Sequence, residues 1–104
     1  MMRVDMSNNY LRIIDVSHWR GKINWSAVKA VGINGAYIKA TEGTRYRYVG
    51  YYKAESESAS SIDFPYGAFH YFSTAIDPTE QANYFMEIAG DTPLIPMLDL
   101  EEVP

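Results

Sequence analysis

The chain has 104 residues, of which 47% are hydrophobic, and it carries a formal net charge of −4 with a pI of about 5.0. This size predicts one domain with its own core. The acidic balance leaves no basic patch for nucleic acid, and no apolar run has the length of a membrane span, so we expect neither partner. The absence of cysteine excludes disulfides and thiolate chemistry.

The chain begins with a polar, irregular stretch, and we predict a flexible arm over residues 1–10 with the domain at 11–104. Residues 11–16 form a short apolar run that predicts a first strand. Asn24 is a good cap for a first helix, which we expect to end before Gly32.

The middle of the chain continues the alternation. Residues 36–40 predict a second strand, residues 48–59 a second helix and residues 66–72 a third strand. Asp77, followed by Pro78 and by Glu at the third helical position, marks the start of a third helix.

The third helix should stop at Gly90 and bury Ala82, Phe85 and Ala89 on one face. Residues 93–98 then predict a buried fourth strand that exits at Glu101.

Strands that alternate with helices predict an α/β fold with a parallel sheet and right-handed crossovers. The polar residues of interest follow the strands at their carboxyl ends, where parallel folds place active sites. These residues are Asp15, Lys39, Glu42, His70, Asp99 and Glu101.

Asp99 and Glu101 are the most informative pair. Side chains alternate along a strand, so the two carboxyl groups share a face, with backbones roughly 6.6 Å apart. Like charges at the end of an apolar strand cost stability, whereas glycoside hydrolysis requires two such groups. The alternative is a solvated acidic strand exit, because Glu102 follows directly.

Four segments, in order, resemble the family 25 glycoside hydrolases, which are lysozymes of the N-acetylmuramidase type. They are Ile-Asp-Val-Ser-His-Trp-Arg-Gly at 14–21, Tyr-Ile-Lys-Ala-Thr-Glu-Gly-Thr at 37–44, Tyr-Gly-Ala-Phe-His-Tyr-Phe at 66–72 and Pro-Met-Leu-Asp-Leu-Glu at 96–101. The family's fold is an irregular, TIM-like (β/α) barrel, of which this chain holds four strands and about three helices, the N-terminal half.

The resemblance implies roles for the acidic residues in cleaving the β-1,4 bond between N-acetylmuramic acid and N-acetylglucosamine in peptidoglycan. Glu101 resembles the general acid, Asp99 its carboxylate partner, and Asp15 a third acidic residue on the pocket floor. The estimated spacing lies between the retaining and inverting separations, so no stereochemical outcome is predicted.

Other positions are expected to line the substrate pocket. Trp19 follows the first strand as a candidate sugar platform, and Tyr37 and Tyr71 are stacking candidates that fit a core equally well. Lys39 and Glu42 either contact substrate or pair with the acidic cluster, or they form a structural ion pair. His70 is expected to line the pocket as a packed histidine, not to act in acid–base chemistry. No metal or cofactor is expected, because paired carboxylates suffice for this reaction.

A half barrel leaves strand edges open, so we expect self-association or a second polypeptide that completes it. The alternative function is a truncated module that binds glycan or assembles without turnover. No signal peptide is visible at the start of the chain, which points to bacterial or phage-infected cytoplasm and action on the cell wall. An endolysin, a virion enzyme and an autolysin would look alike at this level.

Overall fold

The computed structural model describes residues 2–4 and 11–101. Its elements are β1 (Met2–Val4), β2 (Arg12–Val16), a 3₁₀ helix (His18–Arg20), α1 (Trp25–Ala30), β3 (Gly35–Glu42), α2 (Val49–Ser61), β4 (Tyr66–Tyr71), α3 (Pro78–Ala89) and β5 (Met97–Asp99). None of the helices in these described ranges combines the length and the apolar character that crossing a membrane requires.

The strands form one sheet in the order β1-β2-β3-β4-β5, and the pairings from β2 to β5 are parallel. Four parallel strands with three intervening helices confirm the predicted α/β half barrel. Each strand neighbours the next one along the chain, which is typical of consecutive βα units.

β1 is a strand that the sequence did not predict. Met2–Val4 pairs antiparallel with β2, with Met2 opposite Ile14. The outer edge of β2 offers unpaired backbone donors and acceptors, and a neighbouring segment satisfies them whatever its side chains. Residues 5–10 lie outside the described part of the chain.

The predicted starts of α1 and α3 are confirmed by their caps, whereas α2 runs from Val49 to Ser61 without a side-chain cap, two residues past the predicted end at 59. The Asn24 side chain accepts a hydrogen bond from the Ala27 amide at 3.1 Å, and the Asp77 side chain accepts one from the Glu80 amide at 3.0 Å. Past the helix ends, Gly32 and Gly90 adopt positive φ angles of 90° and 64°, which glycine tolerates without a Cβ clash.

The core lies between the helices and one face of the sheet. Small strand residues, including Ala36, Ala40 and Ala68, are completely buried there and let the helices approach closely. Large helix and loop residues such as Trp25 and Phe64 fill the remaining space, with their rings 5.3 Å apart.

The buried face of α3 differs from the prediction at one position. Phe85 and Ala89 are buried as expected, but Gln81 is buried with them, whereas Ala82 is exposed. The buried residues of α3 follow one another at a spacing of four, from 81 to 85 to 89. Because glutamine is polar, a prediction based on apolar residues did not include Gln81 among them.

The prediction of a buried strand over 93–98 is also wrong. β5 covers only Met97–Asp99 and forms the edge of the described sheet. Leu98 is 58% exposed and Ile95 is 83% exposed. Pro93 and Pro96 have no N–H to donate to a ladder, which shortens the strand.

Candidate active site

Strand register decides which side chains share the face opposite the helices. Residues paired across neighbouring strands point to the same side of a sheet. The pairings on this face are Asp15 with Tyr37, Lys39 with Phe69, Phe69 with Met97, and Tyr71 with Asp99. The polar residues expected at the carboxyl ends of β2, β3 and β5 therefore lie on one side of the sheet.

Three carboxyl groups line a single cleft on this face. Asp15 from β2, Asp99 from β5 and Glu101 beyond it surround a volume of about 550 Å³. Asp15 and Asp99 are half-buried and Glu101 is exposed. Asp15 and Asp99 are 84 positions apart in the chain, and they line the same cleft because both lie near the carboxyl ends of parallel strands in one sheet.

Asp99 raises the pKa of the Glu101 carboxyl group. The largest cause is a side-chain hydrogen bond to Asp99, which forms when Glu101 holds its proton, and the second is repulsion between the two negative charges. Desolvation adds to the increase, and the charge of Lys39 opposes it. A carboxylic acid whose pKa is raised by a neighbouring carboxyl group holds its proton to a higher pH and can donate that proton to a leaving group.

Lys39 stands beside this pair on β3. Its ammonium forms a salt bridge with Glu42 at 2.5 Å and lies 5.0 Å and 4.9 Å from the ring centroids of Tyr46 and Tyr71. Lys39 and Glu42 thus form an ion pair, and the charge of Lys39 also acts on Glu101. Contact of these two residues with substrate stays a prediction.

Trp19 lies at the rim of the cleft and is 85% exposed. Its ring centroid is 4.3 Å from that of His18, which in turn stacks on Tyr48 with centroids 3.5 Å apart and planes within 8°. An exposed indole supported by a stacked pair offers a rigid aromatic surface, which suits a sugar ring.

The two tyrosine candidates differ in their surroundings. The Tyr37 hydroxyl donates a hydrogen bond to the Ile95 carbonyl at 2.7 Å. Its ring lies over Gly67, where a Cβ would come within 2.5 Å of the Tyr37 Cε1 atom. Tyr37 therefore anchors the segment before β5, while Tyr71 lies under the Lys39 ammonium at the end of β4.

His70 lies on the other face of the sheet. It pairs with Leu98, is 3% exposed, and contacts α3, so it does not line the acidic cleft as the sequence led us to expect. Its Nε2 donates to the Gln81 Oε1 at 2.9 Å, and its Nδ1 accepts from the Thr41 hydroxyl at 2.7 Å. The expectation of a packed, hydrogen-bonded histidine holds.

Gln81 is the buried residue that determines this arrangement. Its Oε1 also accepts from the Ser73 amide at 3.0 Å, and its amide group donates to the Ser73 and Ile76 carbonyls at 2.8 and 2.9 Å. These donor bonds fix the orientation of the amide, which places the imidazole proton on Nε2. The capped helix start at Asp77 predicted α3 but gave no signal for this role.

Four cleft residues were missed by the sequence reading, and they are Val16, Ser17, Arg20 and Phe69. Arg20 and Phe69 both line the cleft with the carboxyl groups. Phe69 could have been found from strand alternation. If His70 packs against the helices, its neighbour Phe69 must point to the opposite face, where the cleft lies. Within the described ranges, no group of three or more His, Asp or Glu side chains is arranged to hold a metal ion.

Comparison with known proteins places this geometry in a family. Residues 14–104 match the family described as glycosyl hydrolases family 25. The chain belongs to this family. Lysozyme M1 of Streptomyces globisporus is 43% identical to this chain over 97 residues, which is 88% of this chain and 33% of lysozyme M1.

Two solved structures share the family 25 fold. A family 25 glycosyl hydrolase from Bacillus anthracis superposes with a TM-score of 0.77 at 25% identity, covering 97% of this chain and 48% of that one. The lysozyme of Streptomyces coelicolor gives a TM-score of 0.71 at 38% identity, covering 90% of this chain and 45% of that one. The chain spans about half the length of these structures and a third of lysozyme M1.

Proposed function

We propose that this chain supplies the catalytic carboxyl groups of a muramidase that cleaves the β-1,4 bond after N-acetylmuramic acid in the bacterial cell wall. The observation that carries the proposal is that Asp15, Asp99 and Glu101 line one cleft, and Asp99 also raises the pKa of Glu101 there. Family membership and the lysozyme relatives support this substrate class.

In the proposed reaction Glu101 protonates the glycosidic oxygen as the C1–O bond breaks. Asp99 is ionised and stabilises the positive charge that develops on the sugar ring, either directly or by orienting the N-acetyl group. A water molecule then completes the hydrolysis at C1 and returns a proton to the carboxyl pair. Asp15 adds negative charge to the floor, and Trp19 supports a sugar ring at the rim.

We further propose that the active enzyme contains a completed barrel, formed by self-association or with a second polypeptide. The chain presents Asp99 and an exposed Glu101 at the edge of the described sheet, where one wall of the cleft is open. Closing that wall would desolvate Glu101 and raise its pKa further.

The proposal is tested by release of soluble fragments from purified peptidoglycan, with the chain alone and with a polypeptide that completes the barrel. Glu101→Gln should lower the rate by about 10²–10⁴-fold, because it removes the proton donor. Glu80→Gln, an exposed carboxyl group on α3, is the matched control and should leave the rate unchanged. Full activity in Glu101→Gln contradicts the proposal, and glycan binding without turnover supports the alternative of a binding module.

A further inference from the structure

A cationic side chain stands among the carboxyl groups of the cleft. Arg20, which ends the 3₁₀ helix after β2, lines the same volume of about 550 Å³ as Asp15, Asp99 and Glu101. Of the described residues around this volume, it is the one that carries a positive charge, and it is exposed. The reaction proposed above uses the carboxyl groups and gives the guanidinium no role.

The positive charge of Arg20 is not neutralised by a neighbour. Over residues 2–4 and 11–101, no carboxylate lies within salt-bridge distance of its guanidinium. Lys39, the other cation that acts on the acidic residues, is already paired with Glu42. A guanidinium keeps its charge and its five N–H donors across the whole physiological pH range. Arg20 therefore offers its donors to an anion that enters the cleft.

The turn that carries Arg20 is tied to α2. The Arg20 amide donates to the Ser17 carbonyl at 3.0 Å, and the Tyr51 hydroxyl of α2 donates to the Gly21 carbonyl at 2.7 Å. Burial raises the pKa of Tyr51 to about 12 and the charge of Glu55 adds to the increase, whereas the charge of Arg20 opposes it. The guanidinium thus lies within electrostatic reach of Tyr51, on the α2 side of the cleft.

Arg20 lies across the cleft from the Asp99–Glu101 pair. It follows β2, whereas the pair lies at the end of β5, three strand spacings away in the sheet. At about 4.8 Å per spacing, this separation is roughly 14 Å along the sheet. Arg20 therefore approaches a bound glycan from the side away from the proton donor, where it meets substituents of the sugars and not the bond that breaks.

The two glycans that share this type of backbone differ in charge. N-acetylmuramic acid carries a lactyl ether with a carboxyl group, and in the wall that group is amide-linked to a stem peptide with carboxylates of its own. Chitin is built from β-1,4-linked N-acetylglucosamine and has no carboxylate. Three carboxyl groups in a cleft repel an anionic glycan unless a cation offsets the repulsion. A guanidinium also binds a carboxylate through two parallel hydrogen bonds.

We propose that Arg20 binds a carboxylate carried by the muramic acid residue, on the lactyl group or on the stem peptide, and so gives the cleft a preference for peptidoglycan over chitin. Trp19 holds a sugar ring at the rim, and the next residue holds the anionic substituent of that glycan. Arg20 is thus a specificity-determining residue. The inference rests on the proposed substrate class, and not on proton transfer by Glu101.

The test compares three tetrasaccharides by NMR titration of the chain, alone and with a polypeptide that completes the barrel. All proteins carry Glu101→Gln, so that bound glycan is not cut. The ligands are chitotetraose, the alternating N-acetylglucosamine–N-acetylmuramic acid tetramer with free lactyl carboxylates, and the same tetramer with stem peptides. Arg20→Gln should weaken binding of a charged tetramer about tenfold and leave binding of chitotetraose unchanged. Arg20→Lys should recover part of the loss, because it restores the charge without the planar fork.

Arg45→Gln is the matched control, since Arg45 is an exposed arginine that does not line the cleft. A loss confined to the charged tetramers supports the proposal: loss with the peptide-free tetramer assigns the lactyl carboxylate, and loss with the stem-bearing tetramer alone assigns the stem peptide. Circular dichroism checks that the variants fold.

Unchanged affinity of Arg20→Gln for both charged tetramers overturns the proposal. An equal loss for chitotetraose also overturns it, because the residue then contacts the sugar or supports the cleft, and so does failure of the parent protein to bind either charged tetramer. If Arg20→Gln weakens binding but the protein with Glu101 restored does not hydrolyse peptidoglycan, the proposed function fails and this inference stands.

Discussion

At the residue scale, the chemistry depends on how two carboxyl groups at the end of a short strand influence each other. Asp99 and Glu101 share the cleft with Asp15, and the cation that acts on Glu101 comes from Lys39 of β3. The proton affinity of Glu101 is therefore a balance between a neighbour that raises its pKa and one that lowers it. Both contributions can be tested by titration without any assay of turnover.

Replacing Asp99 should lower the pKa of Glu101 toward the ordinary value for glutamate. Asp99→Asn removes the negative charge and replaces the carboxylate that accepts the proton of Glu101 by a neutral amide oxygen, a weaker acceptor, so both of the largest causes of the increase are reduced. The measurement is a carboxyl ¹³C NMR titration of Glu101, with Glu80→Gln as a control that should leave the titration unchanged. An unaltered pKa in Asp99→Asn would mean that the two groups are not coupled.

Replacing Lys39 should have the opposite effect. Lys39→Met removes the charge that favours the Glu101 carboxylate and also leaves Glu42 without its ion-pair partner, so the pKa of Glu101 should rise. Lys29→Met in the last turn of α1 is the matched control. A fall in the Glu101 pKa in Lys39→Met would contradict this assignment of the cation.

Residue roles were predictable from the sequence where the strand ends determined them. The carboxyl ends of parallel strands bring Asp15, Asp99 and Glu101 together whatever lies between them. The position of His70 was harder to read, because its face depends on the register of β4 and on a bulge between Lys39 and Thr41 in β3. Its partner Gln81 lies on α3, and one sequence does not show which helix residue meets which strand residue.

At the element scale, Glu55 joins α2 to the segment that leads into α1. Its carboxylate is 5% exposed and accepts hydrogen bonds from the Ile23 amide and from the Trp25 indole N–H, both at 3.2 Å. A charged acceptor that satisfies two donors at a buried site contributes more than a neutral one. Glu55 therefore holds the start of α1 against α2.

Removing the Glu55 carboxylate should destabilise the chain. Glu55→Leu leaves both donors unsatisfied and should lower the free energy of unfolding by about 2 kcal/mol, while Glu55→Gln, which retains one acceptor, should cost less. Glu57→Leu, two residues along α2 at an exposed position, is the control. Urea unfolding followed by tryptophan fluorescence gives the values, and equal stability of the two Leu variants would argue against this role.

Elements with local signals were predicted well, and those without them were not. Asn24, Asp77 and the glycines at positive φ fix the helix ends through contacts within a few residues. β1 and β5 depend instead on which strand edge is free, which is a property of the assembled sheet. The apolar run at 93–98 therefore predicted burial that this half of the barrel does not provide.

At the scale of the whole molecule, several tyrosines contribute to the pH dependence of stability. Burial raises the pKa of Tyr46, Tyr51 and Tyr52 from 10.0 to about 12. A pKa that is higher in the folded than in the unfolded state means that the unfolded chain loses its phenolic protons first as pH rises. The stability that these groups contribute is present below pH 10 and is lost between about pH 10 and 12.

Urea midpoints should therefore fall steeply between pH 10 and pH 12. Tyr52→Phe should make that fall shallower, because it removes one ionising group, although it also removes the bond from the Tyr52 hydroxyl to the Ala89 carbonyl at 2.8 Å. Tyr66→Phe, at a half-buried position on β4, serves as a comparison. A midpoint that is constant across this range would contradict the argument.

The central claim is that the Asp99–Glu101 cleft belongs to a muramidase, and product analysis tests it most directly. Purified peptidoglycan is digested by the chain with its complementing polypeptide, the new ends are reduced with borohydride, and the reduced sugars are identified by mass spectrometry. We expect reduced N-acetylmuramic acid from the wild-type protein and none from Glu101→Gln. Reduced N-acetylglucosamine at the new ends, or undiminished cleavage by Glu101→Gln, would contradict the account.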